Sequence, residues 1–231
     1  MSATLLFVHS PVVGPATWSA TADVLRQHGF RCVVPSLTAT VDAGPPYYWK
    51  LAETAACALD GGGPVVLVGH SAAGPVLPAI ADAVRSDARA AVFVDAMLPH
   101  PGLSWFDTAP PPLRAQLLGL AVNGLLPPWH QWFPAGVLAE LMPDPQARRR
   151  FVAEIPRVRL AYFEEPAPVT PDWDAVRCAY VRFSAAYDHA ADEAERRGWP
   201  VVRKDWDHLR MLTAPDAVAD LLGRTISGLL G

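Results

Sequence analysis

The sequence predicts an α/β fold, in which a mostly parallel β-sheet is flanked by helices. Short apolar runs alternate with helical segments over residues 1–97 and again after residue 173. Within the runs, polar and apolar residues do not alternate, which is typical of strands covered by helices on both faces. The order strand, helix, strand, helix favours parallel strands joined by crossover helices.

The amino-terminal part of the chain carries the first predicted strands. They are TLLFV (4–8), RCVVP (31–35), VVLVG (65–69) and RAAVFVD (89–95). A proline stops the second strand, because proline has no N–H to donate to a sheet. Helical segments cover 16–28, 47–60 and 71–85 and supply the crossovers.

The alternation stops after residue 97. The segment 98–173 contains more than half of the chain's 24 prolines and Trp105, Trp129, Trp132 and Trp173. Its helical pieces are predicted at 112–122, 135–142 and 144–154. So many large apolar residues need a surface to bury against. We therefore expect 98–173 to form a helical lid, inserted after the strand that ends at Asp95 into a core of 1–97 and 174–231.

The sheet resumes beyond the expected lid. Strands are predicted at 179–184 and 200–204, and helices at 189–198 and 215–230. Pro215 suits the first turn of the last helix, where its missing N–H costs nothing.

Composition narrows the class of partner. The formal net charge is -4, and the sequence has no basic stripe of the kind that binds nucleic acid and no apolar stretch long enough to span a membrane. Its three cysteines fit no metal or disulfide spacing, which suits a reducing cytoplasm. We expect a small-molecule substrate, neither a nucleic-acid nor a membrane partner and no metal, and we leave a homodimer open.

A candidate nucleophile lies in VLVGHSAAGP (67–76), where a predicted strand meets a helix. Ser71 stands between small residues, as a serine on a tight strand-to-helix turn requires. The usual pattern has glycine two positions after the serine, whereas here Ala73 stands there and Gly74 follows. An ordinary turn is the alternative explanation for this stretch.

A serine nucleophile needs a base and an acid that orients the base. His208 follows the last predicted strand, at the sheet edge that also carries Ser71. Asp188 follows the strand ending at Ser184 and is our predicted acid, and Asp95, at the end of the fourth strand, is the alternative.

Ser71, Asp188 and His208 in this order, with a lid after the fourth strand, resemble the α/β-hydrolase superfamily. The stretches VHSPVVGPATW and DHLRMLTAPDAV are similar to its compact branch of plant methylesterases and hydroxynitrile lyases. The resemblance covers essentially the whole chain. It implies a serine hydrolase that needs no cofactor and acts on a small to medium apolar carboxylic ester, lactone or thioester. Ser71 would attack, His208 would carry the proton, and Asp188 would orient His208. Trp105, Trp129 and Trp132 would line the pocket.

One departure from the family concerns the oxyanion hole. In the family, a backbone N–H shortly after the first strand and the N–H after the nucleophile, here that of Ala72, hold the oxyanion. Pro11 stands where the first donor belongs and has no N–H. The Ser10 hydroxyl or the Val12 N–H would have to replace it.

If neither replacement works, the alternative is a lyase, cyclase or dehydratase that uses His208 as its base. A ligand-binding protein with a dispensable triad is a third hypothesis. His9, His70 and Trp18 are expected to be structural.

Overall fold

A computed structural model describes residues 3–84 and 87–231 of the 231-residue chain. The strands form one parallel sheet in the order β2-β1-β3-β4-β5-β6. Their bounds are β1 Thr4–Val8, β2 Arg31–Val33, β3 Val65–Ser71, β4 Ala88–Ala96, β5 Arg177–Arg182 and β6 Val201–Arg203. The predicted α/β class is confirmed.

Helices surround this sheet. They are α1 Ala16–Gln27, α2 Thr38–Asp42, α3 Tyr47–Cys57, α4 Leu77–Val84, α5 Trp105–Thr108, α6 Pro111–Leu120, α7 Val137–Leu141, α8 Pro145–Ala153, α9 Leu160–Glu164, α10 Asp188–Arg196, α11 Arg210–Thr213 and α12 Pro215–Leu230. None of the helices in the described ranges is both long enough and apolar enough to cross a membrane.

Both faces of the sheet are buried. Leu6 and Leu67 point into the cluster that includes α3 and α4, while Leu5 and Val66 point into the cluster that includes α1 and α12. Side chains alternate between the faces of a strand, so two buried faces require apolar residues at every position. This is why the strand sequences are apolar without alternation.

Most predicted elements are present with shifted ends. The helix predicted at 71–85 begins as an α-helix only at Leu77, after a 3-10 turn over Gly74–Val76, and its predicted last residue, 85, lies outside the described residues. The strand before it continues as far as Ser71. The short helices α2, α5, α9 and α11 were not predicted, because four or five residues are too few to show a helical period.

The segment 98–173 joins β4 to β5 and contains α5 to α9. Two of its carboxylates bind the amino-termini of helices in the rest of the fold. Glu154 Oε2 accepts a hydrogen bond from the Ala16 N–H of α1 at 2.6 Å. Glu165 accepts from the N–H groups of Tyr47 and Tyr48 in α3 at 2.8 and 3.0 Å. Negative charge at a helix amino-terminus is stabilising, so these contacts tie the segment to the sheet domain.

The strand order also indicates where a ligand would bind. The chain leaves β1 toward β2 on one side and returns to β3 on the other, so the order reverses between β1 and β3. Crevices at the carboxyl ends of strands beside such a reversal are the usual binding sites of open α/β sheets. Ser71 stands at the carboxyl end of β3, at this point.

Candidate active site

Ser71 occupies a strained turn. Its φ is 57°, in the left-handed region that residues with a side chain rarely adopt. The turn is possible because its neighbours are small. A Cβ on Gly74 would lie 1.8 Å from the carbonyl oxygen of Met97, and one on Gly69 would lie 2.9 Å from the methyl carbons of Leu77. Ala73, the departure from the usual pattern, is fully buried.

His208 is held by Asp95. The Nδ1–H of His208 donates to Asp95 Oδ2 at 2.7 Å, which leaves Nε2 as the unprotonated nitrogen of the neutral ring. Asp95 is the last residue but one of β4, has a φ of 43° and is completely buried. It also accepts hydrogen bonds from the Phe183 N–H at 2.7 Å and from the N–H and hydroxyl of Ser184 at 2.9 and 2.7 Å.

These donors keep the buried carboxyl group ionised. Burial by itself would raise the pKa of Asp95. The hydrogen bond and positive charge of His208, together with the hydrogen bonds from Ser184, outweigh burial and bring the pKa of Asp95 below its ordinary value. An ionised carboxylate at this position fixes the tautomer of His208 and would stabilise its protonated form.

The prediction that Asp188 orients His208 is wrong in this structure, and the alternative acid, Asp95, takes that position. Asp188 is the first residue of α10, and its Oδ1 lies 2.8 Å from Arg182 Nε and 3.6 Å from Arg203 Nη1. Its charge is therefore balanced by two arginines at the ends of β5 and β6. Asp188 therefore holds the start of α10 and does not orient the imidazole of His208.

Tyr187 is a site residue that the sequence did not reveal. Its hydroxyl lies 3.2 Å from Ser71 Oγ, and its ring stacks on that of His208 with centroids 5.1 Å apart and planes 5° from parallel. Burial raises the pKa of Tyr187 to about 12, so the phenol stays protonated at neutral pH. The sequence feature that could have pointed to Tyr187 is its position next to Asp188, after the end of β5, at the sheet edge that carries the site.

The loop after β1 bears on the oxyanion hole. Val12 and Ala72 both line the cavity above Ser71, whereas Ser10 and Pro11 do not. The Val12 N–H has only a long contact, 3.5 Å, with Ser10 Oγ. Of the two replacements for the donor missing at Pro11, the geometry therefore favours the Val12 N–H over the Ser10 hydroxyl.

His9 and Trp18 support the loop and the core. His9 Nε2 accepts from the Leu37 N–H at 3.0 Å while Nδ1 donates to the Ser10 carbonyl at 2.9 Å, and burial lowers the pKa of His9 to about 4. The Trp18 indole donates to the Val8 carbonyl at 3.2 Å. Both are fully buried, as their expected structural roles require.

His70 contacts the candidate base directly. Its Nε2 donates to the backbone carbonyl of His208 at 3.0 Å, and the two imidazole centroids are 4.3 Å apart. Burial, followed by the nearby charge of His208, holds the pKa of His70 well below its usual range. His70 therefore packs as a neutral ring that fixes the backbone of His208.

A cavity of about 390 Å³ opens over Ser71. Trp105, Trp129 and Trp132 all line it, in agreement with the prediction. The Trp105 N–H donates to Met97 Sδ at 2.8 Å and the Trp132 N–H to the Pro127 carbonyl at 2.7 Å, so both rings offer apolar surface to a ligand. Within the described residues, no Asp, Glu, Lys or Arg lines this cavity, and no three His, Cys, Asp or Glu side chains are grouped as metal ligands.

The chain is similar in overall fold to several proteins of known structure. A TM-score of 0.78 relates the chain to an extracellular alpha/beta-hydrolase from a Paenibacillus species, described as sharing structural and functional homology with tobacco salicylic acid binding protein 2, at 16% identity over 96% of this chain and 98% of that one. For tomato methylketone synthase I, complexed with 2-tridecanone, the TM-score is 0.76 at 16% identity over 99% of both chains. For a pyrethroid hydrolase from Sphingobium faniae JZ-2, the TM-score is 0.73 at 19% identity over 97% of both chains.

Sequence comparison adds the family. No curated protein sequence matches the chain. The family model described as "Alpha/beta hydrolase family" matches residues 5–221, which is nearly the whole chain. The chain belongs to the alpha/beta hydrolase family.

Proposed function

We propose that this protein is a serine hydrolase that cleaves a small to medium apolar carboxylic ester, lactone or thioester. One observation carries the proposal. His208 donates through Nδ1 to the buried Asp95, which leaves Nε2 unprotonated, and His208 lines the same cavity as Ser71, which stands on a strained turn. A serine nucleophile requires this order of acid, base and hydroxyl.

The chemistry follows the positions of the groups. Ser71 Oγ attacks the carbonyl carbon while its proton moves to His208 Nε2, and the carbonyl electrons move to the oxygen. The N–H groups of Ala72 and Val12 are the candidate donors for this oxyanion. His208 then protonates the leaving group, and a water molecule, deprotonated by His208, releases the acid from Ser71. Asp95 stabilises the imidazolium formed in each half of the reaction.

The cavity supports the apolar substrate class. Its wall carries aromatic side chains from the segment 98–173, our proposed lid, and none of its described lining residues is an Asp, Glu, Lys or Arg. A charged substrate would lose its hydration there without gaining an ionic partner. A volume of about 390 Å³ is at the small end of the range for ligand pockets.

A non-hydrolytic reaction with His208 as base is the second candidate. Pro11 motivates it, because an incomplete oxyanion hole would penalise ester hydrolysis. Val12 weakens that motive, because it lines the cavity and its N–H has only a long contact with Ser10 Oγ. In the non-hydrolytic reaction Ser71 would only donate a hydrogen bond, so the two candidates differ in how much they need Ser71.

Hydrolysis of nitrophenyl esters with increasing acyl length separates the two candidates. We expect Ser71→Ala and His208→Ala each to lower kcat by on the order of 10³-fold or more, with folding retained. Ser19→Ala, at an exposed serine of α1, is the matched control and keeps full activity. Hydrolysis that survives Ser71→Ala would contradict the proposal. A well-folded wild-type protein that hydrolyses none of these esters would favour the second candidate.

A further inference from the structure

We propose that Tyr187 is a further catalytic residue, whose hydroxyl donates a hydrogen bond to Ser71 Oγ as that oxygen leaves the acyl-enzyme. The inference rests on the proposed function, since it requires an acyl group on Ser71. Its starting observation is the 3.2 Å contact between the Tyr187 hydroxyl and Ser71 Oγ. Among the described side chains, Tyr187 is the hydrogen-bond partner that this nucleophilic oxygen has.

The direction of this hydrogen bond follows from the roles of the two groups. The hydroxyl proton of Ser71 must go to His208 Nε2 when Ser71 attacks, so it is not available for Tyr187. The phenol remains protonated at neutral pH, because burial raises the pKa of Tyr187 to about 12. In the reactive arrangement Tyr187 is therefore the donor and Ser71 Oγ the acceptor.

The hydrogen bond then has different strengths in different states. In the free enzyme Oγ is a hydroxyl oxygen and already accepts it, so the bond adds little that is new during acylation. In the acyl-enzyme Oγ is the alkyl oxygen of an ester, which is a weak acceptor. When the second tetrahedral intermediate collapses, the C–Oγ bond breaks, its electron pair returns to Oγ, and Oγ takes a proton from His208. Only interactions that strengthen toward the transition state accelerate a step, so Tyr187 accelerates deacylation.

The loop that carries Tyr187 is fixed at both ends, which gives the hydroxyl a defined position. Ser184, at the start, donates to the buried Asp95 from both its N–H and its hydroxyl. Asp188, at the end, pairs with Arg182 at 2.8 Å, and the side chain of Arg182 is only 12% exposed. Between them the Tyr187 N–H donates to the Ser184 carbonyl at 3.0 Å. The carboxylate that the sequence suggested as the catalytic acid thus holds Tyr187 in place.

The test measures acylation and deacylation separately with a 4-nitrophenyl ester. Stopped-flow release of nitrophenol reports acylation. Acid quenching followed by intact mass gives the fraction of acylated enzyme at steady state, and the turnover rate divided by that fraction gives the deacylation rate constant, whichever step limits turnover. Tyr187→Phe removes the hydroxyl and keeps the ring that stacks on His208. Tyr47→Phe is the matched control, because the Tyr47 hydroxyl is buried without a partner in the described residues.

We expect Tyr187→Phe to slow deacylation about tenfold, the value of one modest hydrogen bond, and to change acylation by less than about threefold. The acylated fraction rises accordingly. Replacing Tyr187 with 4-aminophenylalanine restores an N–H donor, and we expect it to recover part of the deacylation rate. This second variant tests the inference even if the phenylalanine variant folds poorly. Tyr47→Phe leaves both rates unchanged.

Two results would overturn the inference. A parallel fall in acylation and deacylation would make Tyr187 a general support for His208, and unchanged deacylation would make it a bystander. In both cases Ser71 still becomes acylated, so the proposed function survives. Failure of the proposed function looks different, because no acyl group would then be found on Ser71 in the wild-type protein.

Discussion

Replacing Asp95 with asparagine is expected to abolish most activity through the tautomer of His208. Asp95 Oδ2 accepts from His208 Nδ1 at 2.7 Å, and the same oxygen accepts from the Ser184 hydroxyl, also at 2.7 Å. Oδ1 is held by the N–H groups of Phe183 and Ser184, so the amide oxygen of asparagine would remain there. Its NH₂ group would then face His208 Nδ1. Because an NH₂ group donates and cannot accept, Nδ1 would have to be the acceptor, and the neutral ring would carry its proton on Nε2.

The magnitude follows from the loss of the base. A ring protonated on Nε2 cannot accept the proton of Ser71, and the equivalent change in a serine protease triad lowers kcat about 10⁴-fold. This corresponds to about 5 kcal/mol of transition-state stabilisation. Asp188→Asn is the matched control. The Asp188 side chain is 46% exposed, and its ion pair with Arg182 affects the position of Tyr187 rather than the base, so a loss of less than about tenfold is expected.

The assay is ester hydrolysis at pH 7.5 by both variants, with circular dichroism and thermal unfolding to establish that each is folded. The ratio of the two effects decides between the acids. A large loss for Asp188→Asn together with near-normal activity for folded Asp95→Asn would refute the assignment of Asp95.

Two further predictions concern stability. Burial lowers the pKa of His9 from 6.5 to about 4. Between these pH values the unfolded chain binds the proton and the folded chain does not. Acidification through this range therefore lowers the free energy of unfolding by about 3 kcal/mol. Urea unfolding at pH 7, 5 and 4 should show this fall, with a flatter profile for His9→Gln; equal profiles would contradict it. Glu165→Ala leaves two N–H groups at the start of α3 without their carboxylate and should cost about 1–2 kcal/mol, whereas the exposed neighbour in Glu164→Ala should cost almost nothing. Equal unfolding midpoints for these two glutamate variants would argue against the helix contact.

The strands and two of the three triad candidates were predictable from local patterns. Uninterrupted apolar runs identify strands buried on both faces, and parallel strands bring their carboxyl ends to one edge. This is why Ser71, at the end of β3, and His208, after β6, line the same cavity in the structure. The small residues around Ser71 predicted a strained turn, which its φ of 57° confirms.

The acid could not be decided in the same way, because β4 and β5 both end at that edge and each has an aspartate near its end, Asp95 within β4 and Asp188 after β5. The structure distinguishes them by their surroundings. Asp188 begins a helix and faces Arg182 and Arg203, two cations that lie at strand ends and were visible in the sequence. Asp95 is completely buried and meets donors that tertiary contacts bring together.

The role of Tyr187 and the shape of the cavity walls could not be predicted from the sequence for a related reason. The contact between Tyr187 and Ser71 joins residues 116 positions apart, and no periodic pattern encodes it. The tryptophans of our proposed lid, Trp105, Trp129 and Trp132, were predicted as pocket residues from the composition of that segment together with the family resemblance. Their orientation depends on partners such as Met97 Sδ and the Pro127 carbonyl, which only the fold brings close.

Intact-mass analysis after exposure to a small serine-directed phosphonate shows directly whether Ser71 is an activated nucleophile. A hydroxyl activated by His208 reacts with such a reagent, whereas ordinary surface serines do not. We predict a single adduct on the wild-type protein and none on Ser71→Ala. An unmodified wild-type protein that is well folded, or an adduct that persists in Ser71→Ala, would contradict the claim that Ser71 is the nucleophile.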